Sequence, residues 1–314
     1  MSRKVWLQLI LPLIGLSVLF WILAFVPGKK QGRPPLLEIS VILRDEEGAV
    51  STMRKGMEQA AEDLNIELRF LTPATDNSAA EQAMLLEREA EGGTSAILLL
   101  PADRETLGDA VSAAAGKTTL VTVETDMTAW GAAASISMDH RALGEALGMA
   151  ALNGVPFGGT VLLLDSLPGD NGICQRMLAA KAILEREGRQ VRICRWTSES
   201  ASLMNTLRIE RPGAVIAFEA AALTQMAELS KNEEPFPLLY GCGSTPGIAA
   251  ALEKGRVTAI AAVNVFSAGY LAVAAAAELV RQGDWPGAPP VVFSIVWQET
   301  MYHSDNQKLL FPVT

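Results

Sequence analysis

Glycines at 241, 243 and 247, in the stretch YGCGSTPG after the apolar run Phe236–Leu239, have the residue type that lets a backbone wrap a pyrophosphate. The chemistry would be dinucleotide binding at a strand–turn–helix junction. Two features count against it. The spacing is GxGxxxG rather than GxGxxG, and the stretch lies late in the chain, whereas that fingerprint opens the first βα unit and needs an acidic residue about 20 positions on. The glycines read instead as a sharp turn at the carboxyl edge of a strand, where open parallel sheets bind ligands. No cofactor is expected. GxSxG, HExxH and GxxxxGK[ST] are absent, and two histidines, His140 and His303, support no plausible triad, so no enzyme is expected. Cys174, Cys194 and Cys242 show no CxxC and no metal-ligand spacing, so no metal site is expected. They read as buried free thiols, with a Cys174–Cys194 bridge as the alternative.

The elements that could position a site come next. The chain has 314 residues, 49% of them hydrophobic, and a formal charge of −9. That length allows one large domain or two ordinary ones. The acidic balance argues against nucleic acid as a partner, since that binding needs a basic face. Val5 to Val26 carries no charged residue, and at about 1.5 Å per residue it reaches roughly 33 Å, enough to cross a bilayer core. Trp6 and Trp21 suit its two interfaces, and Pro12 offers a kink. The run exceeds a signal peptide's apolar region, and AFVPGKK offers no small-x-small cleavage site. We read residues 1–27 as an uncleaved transmembrane signal anchor and 28–36 as a polar tether. Arg3 and Lys4 before the span, against Lys29, Lys30 and Arg33 after it, leave the positive-inside rule equivocal.

From Leu37 the pattern alternates. LEISVIL, IELRFLT, SAILLLP and TLVTVE read as strands, separated by helices over 49–64, 79–90 and 105–115, and ASISM begins a connection. The cycle repeats with GTVLLLDS, VRICRW, GAVIAF, FPLLYG and VTAIAAV as strands and helices between them, then a long Ala-rich helix over 267–281, and PVVFSIV closes the pattern. Such alternation specifies βαβ units and parallel sheets with helices on both faces. About ten strands fit two open sheets better than one. The expected class is α/β, two Rossmann-like lobes each with a parallel sheet flanked by helices, preceded by one transmembrane helix.

Several stretches together resemble a type I periplasmic binding protein of the ribose/galactose-binding group, over roughly 37–296. ISVIL…MRKGMEQAAEDLNIELRFLTP is similar to that family's first strand, helix and second strand. GGTSAILLLPADRETLGDAVSAA, TLVTVET, ISMDHRALGEALG and YGCGSTPGIAAALEKGRVTAIAAV follow in the family's order. The resemblance implies three crossings between lobes, near Met138–Asp139, Val263–Asn264 and Pro289–Val291. The lobes are then 37–138 plus 264–290, and 139–263 plus 291–314.

It also implies a ligand between two facing carboxyl edges, where polar groups must meet its hydroxyls. The resemblance assigns ligand contacts to Arg44, Asp45, Glu46 and Glu47 in RDEEGAV, against a solvated charged turn. Glu124 and Thr125 stand at a strand tip where an Asp-Arg pair is common. Asp139 and His140 stand at the hinge, and Asp139 is equally suited to cap a helix. Arg176 aligns with a ligand-binding arginine, against a surface ion pair. Trp196 packs either on a sugar face or in the core. Glu219 replaces a usual asparagine, Gly243 a usual aspartate, and Asn264 lies near a family glutamine. The aromatic first loop is also missing. The surviving set leans acidic, which leaves a cationic or amino-bearing ligand open beside a carbohydrate, and loss of small-ligand binding open as well.

The implied function is an extracytoplasmic solute-binding protein, single-pass at the cell membrane, that closes two lobes on a small polar ligand. Its partner is either an ABC permease or a membrane sensor kinase. A sugar-responsive repressor shares the fold but needs a helix-turn-helix before the core, a place taken here by the apolar span.

Overall fold

The computed structural model describes residues 36–46, 49–167, 169, 171–196, 200–233, 235–287 and 289–311. The expected anchor (1–27), all but the last residue of the tether, and Glu47 lie outside them. Among the described residues no helix is long and apolar enough to cross a membrane. Leu36–Thr314 forms one compact unit.

Two sheets carry it. The first is built from β1 (Leu37–Ile42), β2 (Ile66–Leu71), β3 (Ala96–Leu99), β4 (Thr119–Val123) and β5 (Ala134–Ile136), in the order β2-β1-β3-β4-β5 and parallel throughout. Its connecting helices are α1 (Ala49–Leu64), α2 (Ala79–Glu91) and α3 (Arg104–Ala115). β3 is AILL, buried at every position, as expected for a strand covered by helices on both faces. The ASISM stretch, read from sequence as the start of a connection, pairs through Ala134, Ser135 and Ile136 as an edge strand on β4.

After β5 the chain enters α4 (His140–Leu152), which packs on α5 (Gly172–Arg186), and then builds the second sheet. Its strands are β6 (Thr160–Asp165), β7 (Gln190–Arg195), β8 (Ala214–Ala217), β9 (Leu238–Cys242), β10 (Ala259–Val263) and β11 (Phe293–Trp297), in the order β11-β10-β9-β8-β6-β7. α6 (Ser200–Glu210), α7 (Ala220–Leu229) and α8 (Pro246–Glu253) link them. α9 (Val265–Gln282) leaves β10 and packs on α1, β3 and β4 of the first sheet. The chain then returns as β11 and ends in α10 (Ser304–Leu310). The expectation of a wholly parallel second sheet needs correction. β11 pairs antiparallel with β10, Ala261 facing Ile295, because it arrives from the other lobe rather than through a helix of its own layer.

The segments that run between the sheets lie side by side. Val291 N–H donates to the Ser137 carbonyl at 3.1 Å, and Asn264 N–H to the Val292 carbonyl at 3.3 Å.

Candidate functional site

The carboxyl edge of the first sheet supplies the charges. β1 runs into Arg44 and Asp45, and β4 into Glu124. Glu124 sits at φ 65°, the left-handed region that residues with a Cβ rarely adopt, at a cost on the order of 1 kcal/mol. Its surroundings hold it there. Its N–H donates to the Ile136 carbonyl at 3.0 Å, and its carbonyl accepts from Ser137 Oγ at 2.8 Å and from His140 Nε2. The carboxylate accepts from Arg44 Nη1 at 2.7 Å and lies 3.6 Å from Arg176 Nη2. Arg44 Nε bonds Asp45 at 3.2 Å.

Arg176 comes from α5 in the other lobe. It stands close because α4 and α5 are in near contact: a Cβ on Gly144 would fall 2.1 Å from the Arg176 carbonyl oxygen. Its guanidinium is tied down on every side. Nε donates to His140 Nδ1 and Nη1 to the Phe218 carbonyl, each at 3.0 Å, while the Cys242 and Met138 sulfurs lie at 3.5 Å. Since His140 Nδ1 accepts from Arg176, its proton belongs on Nε2, which donates to the Glu124 carbonyl.

Burial sets the electrostatics. It opposes charge on Glu124, yet Arg44 and then Arg176 outweigh that and hold its carboxyl down at about 2. Burial and then the Arg176 charge push His140 down to about 4, so it is neutral at pH 7. Burial works against the Arg44 cation too, but Glu124 and Asp45 raise its pKa. Burial pushes the Glu219 carboxyl up, against the pull of Arg44, and pushes the Cys242 thiol up.

Arg44, Asp45, Glu124, Arg176, Glu219 and Cys242 border a cavity of about 150 Å³. Of the residues expected at a site, Arg44, Asp45, Glu124, Arg176, Trp196, Glu219 and Gly243 line it. Gly243, at φ 144°, has no space for a side chain: a Cβ would lie 2.7 Å from Ile248 Cδ1 and 3.0 Å from Ala220 Cβ. The turn that carried the glycine fingerprint is therefore a close-packed wall of the cavity.

Five expected residues stand elsewhere. Glu46 is exposed and accepts from Thr72 Oγ1 at 2.9 Å. Thr125 is buried and accepts from Gly172 N–H at 3.3 Å, a bond between the lobes. Asp139 and Asn264 cap helices, accepting from Ala142 N–H at 2.8 Å and Ser267 N–H at 3.0 Å. Asn264 borders an adjoining groove with Trp196 and Phe311. His140 lies behind the cavity wall and orients Arg176.

Sequence reasoning did not single out Thr52, Asp76, Asn77, Ser244 and Thr245, which also line the cavity. Asp76 and Asn77 sit in a turn-rich loop, where Asn77 N–H donates to the Arg44 carbonyl at 2.8 Å. The Thr245-Pro246 pair carried a readable signal, a helix N-cap followed by proline at the first turn, and Thr245 Oγ1 accepts from Ile248 N–H. The three cysteines form no disulfide; Cys242 is buried and the other two half-buried.

A family model for a periplasmic binding protein domain matches residues 39–284. A search of curated proteins finds no match. Among solved structures, an ABC transporter solute binding protein from Agrobacterium vitis with bound D-fucose is similar at TM-score 0.80 and 18% identity, covering 87% of this chain and 100% of that one. A carbohydrate transporter protein from Acidothermus cellulolyticus in complex with myo-inositol matches at TM-score 0.75 and 17% identity, covering 88% and 99%. The XylFII-LytSN complex matches at 0.75 and 16%, covering 85% and 99%. At these identities the likeness is one of fold.

Proposed function

Because this chain belongs to the periplasmic binding protein domain family, we propose that it is an extracytoplasmic solute-binding protein whose lobes close on one small sugar or polyol. One observation carries the reading: a cavity of monosaccharide bulk bordered by polar groups from both lobes, Arg44 and Glu124 after strands of the first sheet, Arg176 from α5 and Glu219 after β8 of the second. Structures of the same fold hold D-fucose and myo-inositol, and Trp196 offers a ring face beside the charged groups. Delivery to an ABC permease is the leading role, in keeping with the transporter proteins that share the fold. Reporting to a membrane sensor kinase is the second reading, favoured by the resemblance to a protein–protein complex. In either role residues 1–27 would hold the binding unit at the outer face of the membrane.

A thermal-shift panel on the full-length chain, covering hexoses, pentoses, inositols and their amino derivatives, tests the reading. A ligand at 100 times its Kd stabilises by about 2.7 kcal/mol, a rise in Tm of a few degrees. If no member of the panel raises Tm, the solute-binding reading fails.

A further inference from the structure

The described cavity lining carries two arginines against four acids, Asp45, Asp76, Glu124 and Glu219. Arg44 is engaged by Glu124 and Asp45, and Arg176 faces Glu124 while its other donors point into the protein. Those four side chains balance in charge. Asp76 stays exposed at the rim, where water solvates it. Glu219 is different. It is the residue before α7, the N-cap position, yet its side chain makes no capping bond. Asp139, Asn171 and Asn264, in the same position on their own helices, all accept from the helix. Glu219 also has no cation within ion-pair distance among the described residues, although it is half-buried and lies within electrostatic reach of Arg44, Asp45 and Glu124. The Ser166 hydroxyl lies within hydrogen-bonding reach of it, but a carboxylate met by a neutral donor and by no cation remains costly to enclose. It becomes favourable when the space in front of it receives a positive charge.

We propose that the cleft selects a polyol bearing an ammonium group, an amino sugar or aminocyclitol, and that Glu219 is the specificity-determining residue that meets that group. The inference rests on the solute-binding reading above. The ring and its hydroxyls would occupy the cavity between Arg44, Glu124 and Trp196. The ammonium would lie toward Glu219, on the side of the second sheet. The exposed Lys55 borders the adjoining groove and not this cavity, so no lysine among the described lining competes for the carboxylate.

Calorimetric titration of the full-length chain with isosteric pairs decides the matter: D-glucosamine against D-glucose, D-galactosamine against D-galactose, and each amino sugar's N-acetyl form. The expected result is at least tenfold tighter binding of one amino sugar than of both its neutral counterparts. Glu219→Gln should bring the ratio of the amino sugar's Kd to the neutral sugar's Kd close to one, whatever it does to either value alone, with the Tm of the unliganded variant reporting that it is folded. Neutral sugars that bind as well as their amino forms would overturn the inference and leave the solute-binding reading standing. A preference that survives Glu219→Gln would overturn the assignment of Glu219. Absence of binding by every sugar would overturn both the inference and the reading beneath it. The wild-type comparison gives its answer even if the variant does not fold.

Discussion

His140 is held neutral between an arginine that donates to one ring nitrogen and a carbonyl that accepts from the other. Its pKa is depressed to about 4 from the ordinary 6.5, so between those values the unfolded chain binds more protons than the folded one. Stability is therefore fully retained above pH 6.5 and is lost as pH falls toward 4, by on the order of 3 kcal/mol. Glu124, depressed from 4.5 to about 2, adds a second loss across that lower window. His140→Asn keeps an acceptor where Nδ1 stands and removes the titrating group. We expect its Tm to be nearly flat between pH 6.5 and 4.5, where the wild-type Tm declines; equal slopes in a pH series of melts would contradict this account. Arg176 makes a sharper case. Arg176→Ala leaves Glu124, only 6% exposed, short of a counter-charge and strands the Phe218 carbonyl. A loss of about 3–5 kcal/mol follows, together with loss of any ligand-induced shift. Arg176→Lys keeps the charge but not the fork of donors, and should fall between the two in a urea melt. Arg44, Glu124 and Arg176 could be named from the sequence only through the family resemblance, which maps ligand contacts onto them, and the structure places all three at one cavity. That Arg176 would face five protein partners was not legible, since Glu124, Met138, His140, Phe218 and Cys242 come from four separate segments.

α4 and α5 bring the two halves of the site to bearing distance, and they do so through small residues. A Cβ on Gly144 would strike the Arg176 backbone, with contacts of 2.1, 2.8 and 2.9 Å. Gly144→Ala must push α4 and α5 apart, and overpacking of this kind costs about 1–3 kcal/mol. Because the displaced backbone is that of Arg176, ligand affinity should fall with stability. Gly247, in α8, has nothing within 4 Å of its Cβ position. Gly247→Ala should be neutral or stabilising by up to about 1 kcal/mol and leave affinity unchanged. Parallel melts and titrations of the two variants check this; equal behaviour would mean that the α4–α5 contact does not set the position of Arg176. At this scale most of the pattern was readable, because runs such as AILL and AIAAV bury both faces and helices of ordinary length separate them. β5 escaped because three residues are too few to show a period, and its strand status comes from pairing with β4. The direction of β11 escaped because an antiparallel partner is set by where the chain returns from, which no local pattern encodes.

Across the whole molecule, closure on a ligand requires contacts that exist only when the lobes meet. Two are visible on one side of the cleft: Asn171 Nδ2 donates to the Ala102 carbonyl at 3.3 Å, and Gly172 N–H donates to Thr125 Oγ1 at 3.3 Å. Gly169 lies against Asp103 there, so tightly that a Cβ would fall 2.0 Å from Oδ2. Asn171 is a poor probe, because its Oδ1 also caps α5 and any change disturbs the helix. Thr125→Val is cleaner. It is isosteric, and it removes an acceptor whose one donor is the first N–H of α5, a group that water can satisfy once the lobes separate. The open form should therefore lose nothing, and the closed form should lose one hydrogen bond, worth about 0.5–1.5 kcal/mol. That penalty weakens ligand binding roughly 2- to 12-fold, chiefly through faster dissociation, since the open form that captures ligand is unchanged. Stopped-flow release measured beside the Tm of the unliganded variant separates the two forms. A Tm that drops as far as the affinity would show that Thr125 supports the resting fold rather than the closed one, and the interlobe contact would then be a fixed part of the structure, not a latch.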